Sequence, residues 1–280
     1  KYGQAKLGGA YEVITAWHGF HGRTLAMMAA SGKENWEGLF QPRMPGFVRV
    51  PFNDLAALRA AVVPGRTCAV MLEPIQGEAG VFVADKAYLQ GVRQLCDEQG
   101  LLLILDEIQT GVGRTGTLWA YEQYGIEPDI MTLAKGIGGG FPLSALLAKD
   151  ACCVFEQGDQ GGTFCGQPLA MAAGAAVVGE VIAKDIPKKV QARGRYLRRR
   201  LKALGQELGF TDVRGTGLLQ AVDLPKDCAA DVVKLALQQG LLLNAPRPAT
   251  LRFMPALNIS NAQIDEMLDV LTPILRQALV

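Results

Sequence analysis

Asp106 and Lys135 are the two residues of this chain whose types and placement most directly imply chemistry. Asp106 follows the continuous apolar run Leu101 to Leu105, and Lys135 stands two residues beyond the run Ile130 to Leu133. Runs without alternation read as strands buried on both faces, and in open α/β sheets ligands sit beyond the carboxyl ends of the strands. If both strands run parallel, a carboxylate and an amine face one edge. An ordinary ion pair at a strand end is the plain alternative. The neighbours of Lys135 favour chemistry, because Ala134-Lys135-Gly136-Ile137-Gly138-Gly139-Gly140 leaves room for a bulky planar group and frees backbone amides. A lysine amine with an acid partner points to pyridoxal phosphate. Unprotonated in a semi-enclosed apolar pocket, the amine would condense with the cofactor aldehyde. An ionised Asp106 would keep the pyridine nitrogen protonated, so that the ring withdraws electrons from the substrate.

The elements that must position this pair follow the beat of a parallel α/β sheet. Short runs rich in branched aliphatics recur at Glu12 to Ala16, Phe47 to Val50, Cys68 to Leu72, Leu101 to Leu105, Ile130 to Leu133 and Ser144 to Ala148. Asp54 to Val62 and Tyr88 to Gln99 place apolar residues at helical spacing, and Gly100 caps the second of these helices. Pro168 to Lys184 reads as one long helix, after which the composition turns basic through Lys188, Arg193, Arg195 and Arg198 to Arg200. A domain change is expected near there, with a large domain over residues 1–175 and a smaller α+β domain over 176–280. The smaller one has strand candidates at Leu218 to Val222, Leu241 to Asn244 and Thr250 to Phe253, and an amphipathic last helix from Asn261 to Leu279. Lys1-Tyr2-Gly3 reads as the basic end and glycine cap of a helix whose body is missing, which predicts a lost N-terminal segment.

Composition narrows the function by elimination. The 280 residues carry 28 Lys plus Arg against 27 Asp plus Glu, a net charge of +1, so neither nucleic acid nor an anionic membrane is an expected partner. No apolar stretch approaches the ~20 residues needed to span a bilayer. The six cysteines show no CxxC and no partnering histidine, and read as reduced thiols of a cytoplasmic protein. Several motif-like tracts carry less than they promise. Gly111-Val112-Gly113-Arg114-Thr115-Gly116 matches GxGxxG, but its first glycine lies six residues beyond Leu105, and Asp129 precedes the next strand instead of ending it. Leu103 to Glu107 resembles the strand-then-acid motif of P-loop ATPases, yet the chain has no GxxxxGK[ST]. His18 and His21 are three apart without a carboxylate or third histidine to complete a metal site, so they read as turn or packing residues and no metal is expected.

Six ordered motifs carry a family resemblance. Phe20-His21-Gly22-Arg23-Thr24, Glu73-Pro74-Ile75-Gln76-Gly77-Glu78, Asp106-Glu107-Ile108-Gln109-Thr110-Gly111, Leu133-Ala134-Lys135-Gly136, Gly162-Thr163-Phe164 and Arg252-Phe253-Met254-Pro255 resemble, in sequence and order, those of class III aminotransferases. The resemblance covers essentially the whole chain. It implies a fold-type I pyridoxal-phosphate transferase: a mostly parallel sheet with helices on both faces, plus the smaller C-terminal domain. It implies that Phe20 stacks on the pyridine ring, Gln109 bonds the phenolic oxygen, and Thr163 holds the cofactor phosphate of a neighbouring subunit in a homodimer with shared sites. Arg23 and Arg252 resemble the two substrate-carboxylate arginines, a use that suits planar forks. Arg252 would take the α-carboxylate of 2-oxoglutarate. Arg23 would hold its distal carboxylate or the α-carboxylate of the amine donor. Glu78 resembles the gate that neutralises Arg252 when the donor is bound, and Glu73 an orienting residue behind the site.

Within the family the pattern is most similar to members that pass the terminal amine of N2-acetyl-L-ornithine to 2-oxoglutarate in two stages, with glutamate as product. Succinylornithine, ornithine and 4-aminobutyrate remain alternative donors, and a cofactor-free, non-catalytic fragment is the rival from a different class. Two departures stand out. Gly162 and Gln167 occupy positions where the family usually has a hydroxyl residue and an asparagine. The family's main phosphate-binding turn, Ser-Gly-Ala or Ser-Gly-Thr at a helix N-terminus, does not occur in this sequence.

Overall fold

Apolar runs without alternation need cover on both faces, and the chain supplies it by interleaving helices with strands. The computed structural model describes residues 1–210 and 212–279. In chain order the first elements are α1 (Tyr2–Lys6), β1 (Glu12–Ala16), α2 (Leu25–Ala30), β2 (Phe47–Val50), α3 (Leu55–Ala61), β3 (Thr67–Leu72), the short pair β4 (Ile75–Gln76) and β5 (Phe82–Val83), α4 (Lys86–Gln99), β6 (Leu102–Asp106), β7 (Ile130–Leu133) and β8 (Ala145–Ala148). There follow α5 (Pro168–Ala183), α6 (Ile186–Leu208), β9 (Val213–Thr216), β10 (Leu219–Asp223), α7 (Ala229–Gln238), β11 (Asn244–Arg247), β12 (Thr250–Phe253) and α8 (Asn261–Leu279). These group into two units, one comprising residues 1–74, 84–112 and 119–180, the other 75–83, 113–118 and 181–280.

The first unit is built on a six-stranded sheet of order β2-β1-β3-β6-β7-β8, parallel except for β8, which runs antiparallel to β7. Asp54 caps α3 by accepting from the Ala57 amide at 2.8 Å, and Gly100 ends α4 at φ 67°. The buried face of α4 presents Tyr88, Leu89, Val92, Leu95 and Cys96, which pack with Ile14, Val70, Leu72, Leu103 and Leu105 of the strands. Each such side chain contributes roughly 1.5–3 kcal/mol on burial. That core holds the carboxyl ends of β3 and β6 rigidly in place. The residues of α5 are small for a packing reason: a Cβ at Gly174 would lie 2.5 Å from Leu143, and Val177 approaches the Cβ position of Gly139 at 2.6 Å. Small side chains let the glycine-rich loop after Lys135 lie against the helix.

The second unit carries an antiparallel sheet of order β11-β12-β10-β9, with β4 and β5 as a separate two-stranded pair. On α6, Gly194 meets the backbone of Gly217, whose carbonyl oxygen would be 2.3 Å from a Cβ there.

Two expectations are corrected and one strand was missed. Gly3 is not a helix cap: it lies inside α1, where a Cβ would be 1.8 Å from the Ala10 carbonyl oxygen, so the residue is glycine for close approach. The strand expected at Leu241 to Asn244 begins instead at Asn244, because pairing with β12 starts at Asn244 opposite Arg252. The strand β9 went unrecognised, since Val213–Thr216 is short and Gly215 at φ 118° breaks its pattern.

Candidate active site

The site in the first unit grows from three strand ends. In β6 and β7, which are parallel neighbours, Asp106 is in register with Thr132, and the Glu107 amide donates to the Thr132 carbonyl at 3.0 Å. Lys135 therefore stands three residues beyond the partner of Asp106, on the same sheet edge. Its backbone sits at φ 45°, in the left-handed region that non-glycine residues enter only where the surroundings enforce it. A tight turn, Lys135–Gly138, follows, and Gly139 at φ 57° closes it. The lysine side chain is exposed while the carboxylate is buried.

Asp106 is held from two directions. One oxygen accepts from the Ile108 amide at 3.1 Å, and the other is 2.9 Å from Nδ1 of His21. Glu73, directly after β3, accepts from the Phe20 amide at 2.9 Å. Full burial pushes the Glu73 carboxyl up to about 7, with Asp106 adding to the rise and His21 and Lys135 opposing it. Burial works against a charged His21, yet its bond to Asp106 and the field of Glu73 carry its pKa above the ordinary 6.5. The Phe20 ring packs edge-on against Trp36 at 5.8 Å between centroids, and the Arg23 guanidinium lies 5.9 Å from it. Phe20, Glu73, Asp106 and Lys135 are thus brought into one neighbourhood, with Arg23 beside Phe20.

Gln109 is half-buried in the turn that begins at Asp106. Thr163 is on an exposed loop with Phe164. Gln167 at the end of that loop accepts from the Ala170 amide at 2.8 Å and so caps α5, the job a shorter asparagine could also do. The glycine-rich tract at 111–116 opens no helix. Its backbone turns through Val112, Gly113 and Gly116 at positive φ. Asp129, weighed as a ribose acid, instead accepts from the Leu103 amide and from Arg93, both at 2.8 Å.

The second unit holds its own constellation. Arg252 is buried on β12, opposite Asn244 of β11 and Ala221 of β10. Its Nη1 donates to the Gly77 carbonyl at 2.8 Å and to Glu78 at 2.9 Å, and its Nε donates to Asn244 at 3.0 Å. The turn bearing Glu78 is fixed by Arg214, whose Nε donates to Gly80 at 2.7 Å while its guanidinium lies 4.5 Å from the centroid of Phe82. Arg214 is itself held bidentately by Asp223, both contacts at 2.9 Å.

Pyridoxal phosphate fits the donor set of the first unit. The Asp106 side chain keeps 7% of its surface exposed and each oxygen has one partner, leaving lone pairs for a protonated ring nitrogen. An aromatic ring and an exposed amine stand in the same neighbourhood. Sequence reasoning missed His21 as part of this site. The available signal was its position directly after Phe20 in the first motif. Among the described residues there is no group of His, Cys, Asp and Glu able to hold a metal ion, and no helix is long and apolar enough to cross a membrane.

The family model described as aminotransferase class-III matches residues 1–275. Acetylornithine aminotransferase 2 of Bordetella parapertussis is 52% identical over 274 residues, covering 97% of this chain and 69% of that protein. The acetylornithine aminotransferase of Ralstonia nicotianae is 49% identical over 283 residues, covering 99% and 71%. Among solved structures, N-acetylornithine aminotransferase from Stenotrophomonas maltophilia superposes with a TM-score of 0.81 at 36% identity, covering 98% of this chain and 68% of that one. Ornithine aminotransferase from Toxoplasma gondii, with partial occupancy of pyridoxal phosphate at its active site, gives 0.91 at 30% identity and covers 99% and 68%.

Proposed function

The chain belongs to the class III aminotransferases, which work through pyridoxal phosphate, and we propose that its amine donor is N2-acetyl-L-ornithine and its acceptor 2-oxoglutarate. The products would be N-acetyl-L-glutamate 5-semialdehyde and L-glutamate, a cytoplasmic step of arginine biosynthesis. The observation that carries the reading is the placement of Asp106 and Lys135 past the ends of two adjacent parallel strands. The choice of donor rests on relatives of 52% and 49% identity that bear the acetylornithine name.

When bound, the cofactor would supply a carbonyl carbon to carry the amino group and a ring to delocalise the electron pair released at the donor carbon. Lys135 Nζ would hold the cofactor between turnovers, and as a free amine it would take a proton from the amine-bearing carbon of the donor and return it in the second half-reaction. Asp106 would pair with a protonated ring nitrogen. Phe20 would stack on the ring and Gln109 would bond its phenolic oxygen, while Glu73 fixes the Phe20 backbone. The Arg252 fork takes the α-carboxylate of 2-oxoglutarate, and Arg23 takes the distal carboxylate or the α-carboxylate of the donor. Glu78 neutralises Arg252 when no carboxylate is there. Thr163 serves a second copy's cofactor phosphate in a homodimer, a role supported by the exposure of Phe155, Phe164 and Leu169 around that loop.

Two measurements test the reading together. Borohydride reduction of the protein with pyridoxal phosphate, followed by peptide mapping, is expected to place a single adduct on Lys135, and Lys135→Ala is expected to abolish both adduct and turnover. A panel of amine donors with 2-oxoglutarate is expected to favour N2-acetyl-L-ornithine. Fastest reaction of 4-aminobutyrate or ornithine would overturn the donor assignment while leaving the enzyme class intact.

A further inference from the structure

One face of the antiparallel sheet in the second unit carries a row that crosses its four strands. Asn244 of β11 is opposite Arg252 of β12, Arg252 is opposite Ala221 of β10, and Ala221 is opposite Arg214 of β9. Directly paired residues of antiparallel strands share a face, so both arginines rise from the same side, with the small Ala221 between them. They grip one turn at two points. Arg252 Nη1 holds the Gly77 carbonyl and Glu78, and Arg214 Nε holds the Gly80 carbonyl at 2.7 Å. At the edge of the row, Asn244 Oδ1 accepts from Arg252 Nε at 3.0 Å. Arginine has donors only, so the amide oxygen and not the amide nitrogen must face it. The register of β11 against β12 shifts between Asn244 and Arg247, the kind of irregularity that re-aims side chains beside a site. Asn244 is exposed, so packing gains little from it.

We propose that Asn244 is a positioning residue for the substrate carboxylate: a neutral acceptor that holds the Arg252 guanidinium in place while Glu78 and the α-carboxylate of 2-oxoglutarate exchange at it. The inference rests on the reading of Arg252 as the carboxylate fork and deepens it. When Glu78 leaves, Arg252 keeps the Asn244 amide oxygen and the Gly77 carbonyl, both uncharged. Held at Nε from β11 and at Nη1 from the turn, the guanidinium keeps its orientation. Neither acceptor cancels its charge, so one carboxylate replaces another with the charge balance unchanged. The turn stays in place through that exchange because Gly80 is tied to Arg214, which Asp223 holds bidentately. A carboxylate at position 244 would have the same shape and reach as the asparagine. It would also neutralise the guanidinium permanently and repel the incoming substrate.

Glutarate, with the two carboxylates of 2-oxoglutarate and no keto group, reads binding without turnover in titration calorimetry of the cofactor-loaded protein. Asn244→Ala removes the acceptor and should weaken glutarate about tenfold, the worth of one hydrogen bond to a charged group. Asn244→Asp keeps an acceptor of the same shape and should weaken glutarate more than Asn244→Ala does. In half-reaction kinetics both variants should raise the half-saturating 2-oxoglutarate concentration in the same order, with a smaller change for the amine donor. A residue that merely braced β11 would give the opposite order, Asp restoring what Ala loses. That order, or glutarate affinities within about twofold of the parent in both variants, overturns the proposal. Urea midpoints report folding separately, and if Asn244→Ala does not fold, weaker binding than the parent in Asn244→Asp decides alone. Arg252→Lys keeps the charge and loses the fork, and should lose most glutarate binding. Binding like the parent's in Arg252→Lys would sink the reading of Arg252 itself. Loss there with indifferent Asn244 variants would sink only the role of Asn244.

Discussion

Nη1 of Arg252 donates both to the Gly77 carbonyl at 2.8 Å and to the Glu78 carboxylate at 2.9 Å. A buried guanidinium is costly without a counter-charge, so Glu78 stabilises it when no substrate carboxylate is present. On the proposed reading, 2-oxoglutarate displaces Glu78 to reach Arg252, and the amine donor does not. Glu78→Ala is accordingly expected to lower the KM for 2-oxoglutarate and to slow the amine half-reaction, each by about tenfold, the worth of one charge-assisted hydrogen bond. Stopped-flow measurement of the two half-reactions checks this. Equal losses in both would reduce Glu78 to a strut of its turn.

Asp106→Asn keeps shape and removes charge. The amide can still accept, but it no longer favours a protonated ring nitrogen, and it leaves His21 facing a neutral partner. A hydrogen bond to a charged group is worth about 1.5–3 kcal/mol, so turnover should fall about 10-fold to 100-fold, with a smaller effect on donor KM. Steady-state kinetics decides, and a variant within twofold of the parent would contradict the assigned role.

The Glu73 carboxyl gives stability a pH dependence of definite sign. Folded, it releases its proton at about 7 instead of the ordinary 4.5. Between those values the folded chain holds a proton that the unfolded chain has lost, so stability falls as pH rises through that window and levels off above it. His21, raised above 6.5, adds a fall of the same sign from there upward. Glu73→Gln should therefore match the parent near pH 5 and exceed it by about 2 kcal/mol near pH 8, read from urea midpoints. A parent slope preserved in the variant would place the titration elsewhere.

Gly194 tests packing away from the chemistry. A methyl there would meet the Gly217 carbonyl oxygen at 2.3 Å, and Gln220 Nε2 already ties both glycine carbonyls, at 2.8 Å to Gly194 and 2.7 Å to Gly217. Gly194→Ala, favourable for helix propensity alone, should instead destabilise by about 1–3 kcal/mol. Calorimetry or urea unfolding provides the check, and an unchanged midpoint would show that α6 can shift.

Much of the site could be read from the chain because strand ends announce themselves. The run LLLIL before Asp106 and IMTL before Lys135 are buried on both faces, which leaves few options for where the next polar side chain points. The helix Lys86–Gln99 and its glycine stop follow from local periodicity and backbone freedom in the same way. Short antiparallel strands carry no such signal. Asn244–Arg247 is defined by what lies across from it, so its start was placed three residues early.

By itself the sequence determined the family and the sheet that bears Asp106 and Lys135, since both rest on residue type within a local pattern. Tertiary structure alone decided the part played by His21. A lone histidine in a turn has an ordinary pKa and no partner within its own segment. Only when β1, β3 and β6 lie side by side does its Nδ1 come to stand 2.9 Å from Asp106. Burial lowers its pKa, and two carboxylates, from residues 52 and 85 positions away along the chain, raise it above the ordinary 6.5.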